Sequence, residues 1–168
     1  AERALAEVMA EEAAGGPAVI AGQEAGDAAE QGDSGRLESA LETLAGGLAA
    51  ITALAQRIEE GCGPDVFFKT LRPFLFSPPE GIVYEGVADY GGKPKSFLGQ
   101  TGAQSSLLPA LCGAIGIRHG ETELTSYLDA VRAYMPPAHR SFLARLKGDR
   151  VRSMAERGAL PLKEIYNL

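Results

Sequence analysis

A leucine period dominates this chain and fixes its fold class. From about 36 to 60, Leu37, Leu41, Leu44, Leu48, Ile51, Leu54, Ala55 and Ile58 recur at three- and four-residue steps. That spacing puts them on one stripe of a long α-helix, which must bury the stripe against a partner. Asp33 or Ser34 stands where a helix cap is needed. The pair Gly46-Gly47 costs helix propensity and marks either a bend or the close approach of a neighbouring backbone. The same period returns at 107–117, which contains Gly113 and Gly116, and at 121–134, where Leu124, Tyr127, Leu128, Val131 and Tyr134 face inward. Pro136 and Pro137 suit the first turn of a further helix, whose apolar residues Phe142, Leu143 and Leu146 run up to Gly148. Only 82–87 reads as a strand, and Asp89 to Gly92 supplies turn chemistry after it. The class is therefore all-α, with at most a small hairpin near 82–97.

Upstream the pattern is thinner. Leu5, Val8 and Met9 give residues 3–13 an amphipathic helix that stops near Gly15-Gly16-Pro17. Residues 22–35 contain Gly, Ala, Asp, Glu and Gln with no large apolar side chain, the profile of a flexible loop. The tail from 151 holds a short helix and then, at 161–166, the start of another.

Several function classes lose support here. The formal net charge is −6, and the 16 basic residues form no stripe able to neutralise a phosphate backbone, so nucleic acid is not the expected partner. No uninterrupted apolar run reaches the roughly 18–20 residues of a bilayer span, and the first residues lack the apolar centre of a signal peptide. The expectation is a soluble, cytoplasmic chain without a membrane partner. Cys62 and Cys112 are far apart with no second ligand at metal spacing, which predicts two buried free thiols.

Two stretches carry chemistry. In Phe67-Phe68-Lys69-Thr70-Leu71-Arg72, two flat rings stand near a guanidinium whose planar fork fits a carboxylate, the two contacts that an aromatic amino acid requires. The same run also serves as two core rings and a solvated arginine. On an ideal helix Phe67 lies about 140° from Arg72, so both rings flank the arginine only if the backbone is distorted. Pro73 suggests a source for that distortion, by pushing Arg72 out of the αR region. The second stretch, Gly99-Gln100-Thr101-Gly102-Ala103-Gln104-Ser105-Ser106, leads into a helix start. Its amides and hydroxyls can receive an anion or lie against a flat ligand, or can simply cap the helix. No phosphate-loop or dinucleotide pattern is present. His139 falls near a helix N-terminus, where a neutral imidazole bonded to a neighbour is expected.

The segments FFKTLR (67–72), GIVYEGV (81–87), GQTGAQSS (99–106) and above all YMPPAHRSFL (134–143) resemble the indoleamine 2,3-dioxygenase family, in order and separation. The resemblance is strongest over 61–146. It implies a partial large, catalytic helical domain of a longer haem enzyme. That enzyme would cleave the indole C2–C3 bond of L-tryptophan, or of a related indole, with O2. The product would be N-formylkynurenine, on the kynurenine route of tryptophan catabolism. By resemblance Phe67, Phe68, Gly102 and Ala103 would contact substrate, and Arg72 would hold its carboxylate. Gln100, Thr101 and Gly102 would lie against haem b, so that both groups border one cavity. The order Thr-Gly-Ala departs from the Ser-Ala-Gly-like order of the family. The axial histidine is expected beyond Leu168, so neither His119 nor His139 is assigned to a metal, and no catalytic residue is named. The alternatives are another haem-dependent enzyme acting on an indole and a non-catalytic helical interaction domain.

Overall fold

The computed structural model describes residues 2–75, 78, 80–98 and 101–157. The helix start read at 161–166 and the candidate Gln100 lie outside them. Eight α-helical elements follow one another among the described residues: α1 (Glu2–Gln31), α2 (Ser34–Ala55), the single turns α3 (Ile58–Gly61) and α4 (Pro64–Val66), α5 (Leu107–Ile115), α6 (Glu123–Arg132), α7 (Pro137–Leu143) and α8 (Gly148–Arg157). Helices α1 and α2 form an antiparallel hairpin, and α5 and α8 pack across it.

The composition of 22–35 misleads, because α1 runs unbroken through Gly15-Gly16-Pro17 and on to Gln31. Residues 22–31 are helix, not loop, and only Gly32 and Asp33 separate α1 from α2. Ala18, Ala21, Ala25 and Ala28 repeat at helical steps, and all four are buried. Their face is narrow rather than absent. Ala18 packs in one cluster with Ile51, Leu107 and Leu111. Ala21 joins Leu44 and Ala114, and Ala25 and Ala28 join Leu37, Leu41 and Val151. Alanine is the strongest helix former, and a methyl facing a leucine brings two helix axes close, so small residues on α1 and large ones on α2 share one interface. Pro17, inside α1, leaves one backbone bond unmade.

The glycine pair of α2 resolves in favour of close approach. A Cβ on Gly47 would sit 2.5 Å from Ala18 Cβ, whereas one on Gly46 would meet open space. Asp33 is the cap, its Oδ1 accepting the Arg36 amide at 3.0 Å. By length and composition α2 could cross a bilayer, contrary to the reading of uninterrupted runs. Its Leu37, Ala40, Leu41, Leu44 and Ile51 are buried in the helical core instead. Near 82–97 the described residues hold one isolated antiparallel bridge, Ile82 to Lys95, and no strand. Tyr84 packs edge-on against Tyr90 and Phe97 there, with ring centroids 5.7 and 5.9 Å away.

Helix α5 ends where α8 begins. Gly116 takes φ +73° to close α5, and Gly148, the first residue of α8, lies directly on the Gly113 carbonyl and the Gly116 amide. Lys147, just before this crossing, pairs with Asp27 and Glu30 of α1.

Candidate functional site

Pro64 starts α4 at its first turn, and the helix then widens. Phe67–Leu71 is a π-helical turn, in which the Arg72 amide donates to the Phe67 carbonyl five residues back. Pro73 has no amide to offer the carbonyl four residues before it, and its ring crowds that carbonyl, so a wider turn relieves both problems. Arg72 itself keeps αR dihedrals, φ −54° and ψ −39°. The distortion is therefore an added residue per turn, and not the extended pre-proline backbone that the sequence suggests. Its effect is to bring residue i toward residue i+5. Phe67 and Phe68 meet edge to face with centroids 5.4 Å apart, and the Arg72 guanidinium lies over the Phe68 ring at 5.2 Å. Phe68 is 58% exposed, so an apolar face is presented outward beside a cation.

The second group is built on the Gly102–Gln104 3-10 turn before α5. Its amides are engaged locally. Ala103 N–H donates to Thr101 Oγ1 at 3.3 Å, Leu107 N–H donates to Ser105 Oγ at 3.0 Å, and the 104 and 105 amides close onto the 101 and 102 carbonyls. These bonds serve helix capping rather than reception of an anion. Ser106 Oγ and His139 Nδ1 share a 3.0 Å hydrogen bond that fastens the start of α5 to the first turn of α7.

Behind this turn α5, α6 and α7 line a cavity of about 780 Å³ that is open to solvent on one side. Gly102 and Ala103 line it, together with Leu108, Pro109, Leu128 and Leu143; Cys112, His119, Arg132 and Arg140 also reach it. Phe67, Phe68 and Arg72 are not in its described lining. The sequence candidates thus form two groups, 67–72 and 101–103, that do not wall one cavity. Burial pushes the Cys112 thiol up from its ordinary value, against the downward pull of the Arg132 guanidinium. It is a protonated, half-buried thiol at neutral pH.

Sequence reasoning missed the arginines and Cys112. One signal was available in α5, where Leu107, Ala110, Leu111 and Ala114 bury one face while Leu108, Pro109 and Cys112 make the other apolar as well. A helix apolar all round faces two partners.

A helical chain with an apolar, arginine-bearing cavity of this volume has room for a small organic molecule, for which sites of about 300–1,000 Å³ are usual. The family profile of indoleamine 2,3-dioxygenase matches residues 5–168. The chain belongs to the indoleamine 2,3-dioxygenase family. It is 39% identical over 144 residues to indoleamine 2,3-dioxygenase 1 of Rattus norvegicus, a match covering 81% of this chain and 35% of that protein. A myoglobin of Haliotis madaka is 36% identical over 127 residues, covering 71% of the chain and 32% of the relative. A 6-hydroxytryptophan 2,3-dioxygenase of Fusarium equiseti is 35% identical over 150 residues, covering 83% and 36%. The chain spans about a third of the length of the curated relatives it matches.

Proposed function

We propose that this chain is part of the large helical domain of a cytoplasmic haem dioxygenase that opens the indole ring of L-tryptophan, or of a related indole, to the N-formylkynurenine-type product. The product would enter tryptophan breakdown by the kynurenine route. The observation that carries the reading is family membership along nearly the whole chain, and the cavity is consistent with it. Its residues fit haem b: Leu108, Pro109, Leu128 and Leu143 offer apolar walls, Gly102 and Ala103 present backbone with little side chain, and two guanidiniums provide for carboxylates. Bound haem would supply the iron that carries O2.

The chain's own residues would place the substrate. Phe67 and Phe68, already in contact with each other, would offer the indole an apolar wall on the exposed side of Phe68, and Arg72 would take the carboxylate in its fork. The turn at Thr101, Gly102 and Ala103, with Gln100 before it, would separate substrate from cofactor.

A second reading has its own support, since the Haliotis relative named a myoglobin shares this stretch at 36% identity. In that reading the cavity holds haem for O2 binding alone. Reaction of the complete, haem-loaded protein with L-tryptophan under 18O2, analysed by mass spectrometry, separates the two. The dioxygenase reading expects two heavy oxygens in one ring-opened product, and reversible O2 binding without product would favour the second reading.

A further inference from the structure

The cavity between α5, α6 and α7 is lined by basic side chains although the chain as a whole is acidic. The chain carries a formal net charge of −6, yet the described lining of the cavity contains Arg132 and Arg140 and no aspartate or glutamate. The remaining walls are mostly apolar. Two cations held at an apolar wall favour a ligand with anionic groups on an otherwise apolar body.

The two side chains come from different helices and are held in place by contacts that use only part of each fork. Arg132, at the end of α6, lies 2.9 Å through Nη1 from Asp129 Oδ1 on its own helix. Arg140, on α7, donates from Nη1 to the Ala133 carbonyl at 2.6 Å. A guanidinium has five N–H donors, so each contact leaves donors to spare and restricts the side chain's rotamers. Arg132 also acts on the cavity wall itself, as the charge that opposes the rise in the Cys112 thiol. The planar fork suits a carboxylate with two parallel bonds better than a point charge would.

We infer that Arg132 and Arg140 anchor the carboxylate edge of the flat ligand in this cavity, which under the proposed dioxygenase function means the two propionate groups of haem b. The assignment rests on that function. Both arginines are positioning residues, remote in role from the substrate carboxylate assigned to Arg72.

The test uses the apo form of the complete protein titrated with metal-free protoporphyrin IX, so that iron ligation contributes nothing, and in parallel with its dimethyl ester, which keeps the ring and loses both charges. Binding is followed by porphyrin fluorescence, and folding by circular dichroism. Arg132→Ala is expected to weaken the free acid by about tenfold or more, the scale of one charged hydrogen bond, while leaving the ester unchanged. The Arg132→Lys, Arg140→Lys double variant keeps both charges and a donor for Ala133. It should shift the same way by a smaller factor, and it replaces the alanine variant if that protein does not fold. Unchanged affinity for the free acid in a folded variant, or equal losses for acid and ester, overturns the arginine assignment alone. Failure of the unsubstituted protein to bind either porphyrin overturns the cofactor seat and the assignment with it.

Discussion

Arg72→Ala, made in the complete protein, is expected to lower kcat/KM for L-tryptophan by several hundredfold or more, a loss on the order of 3–5 kcal/mol. The size follows from what is left behind once the rest of the complete protein covers Arg72, which is exposed in this structure: the substrate carboxylate would lose its planar partner and remain desolvated. Arg72→Lys should recover little, because an ammonium keeps the charge but lacks the two-bond geometry that orients the ring. Steady-state kinetics with tryptophan and with an indole that lacks the carboxylate distinguish anchoring from general damage. Equal slowing of both substrates, or of neither, would leave Arg72, the cation stacked on Phe68, without a part in holding the carboxylate.

Gly148→Ala should damage folding more than a methyl added at any other glycine of the helical core. The new Cβ would fall on the Gly113 carbonyl oxygen and the Gly116 amide nitrogen, both backbone atoms that cannot rotate away. Parting α5 from α8 would also pull on Lys147 and its ion pairs to α1. The expected cost is about 3 kcal/mol or more, or a fall in Tm of roughly 6–12 °C for a chain of this size. Gly120→Ala meets nothing within 4 Å and serves as the control. Thermal melts of the two variants that coincide would show that the crossing relaxes freely.

The large-residue helices were legible because a leucine every third or fourth residue has one physical meaning, and α2, α5, α6 and α7 all begin close to where that spacing puts them. Their ends were less so: α2 stops at Ala55 rather than near 60, and α7 stops at Leu143 rather than near Gly148. Leu124 and Tyr134, read as facing inward, are exposed. The cap at Asp33 and the prolines at the start of α7 follow from local backbone chemistry, which sequence carries directly. The second half of α1 was hidden, since an alanine face gives no hydropathy contrast, and burial of a methyl depends on how close α2 comes. At Arg72 the presence of a distortion was legible but not its kind, because proline permits either a break or a π turn and only the surrounding helix decides. The cavity was least legible. Its walls come from three helices and a turn, and its arginines look like ordinary surface residues until α6 and α7 are brought to α5.

The tight α1–α2 pairing has a kinetic consequence. Partners joined by only two residues close a short loop at little entropic cost, whereas α1 meets α8 only after most of the chain has been gathered in. The helical hairpin is therefore expected to form first, even on a nascent chain, and to give α5 and α8 a surface on which to dock. Pulsed hydrogen exchange during refolding should protect the amides of 18–51 before those of 107–151, and simultaneous protection would remove this order of events. If the order holds, the ligand cavity is the last part of the molecule to be assembled, and a bound cofactor can act only on a scaffold that is already standing.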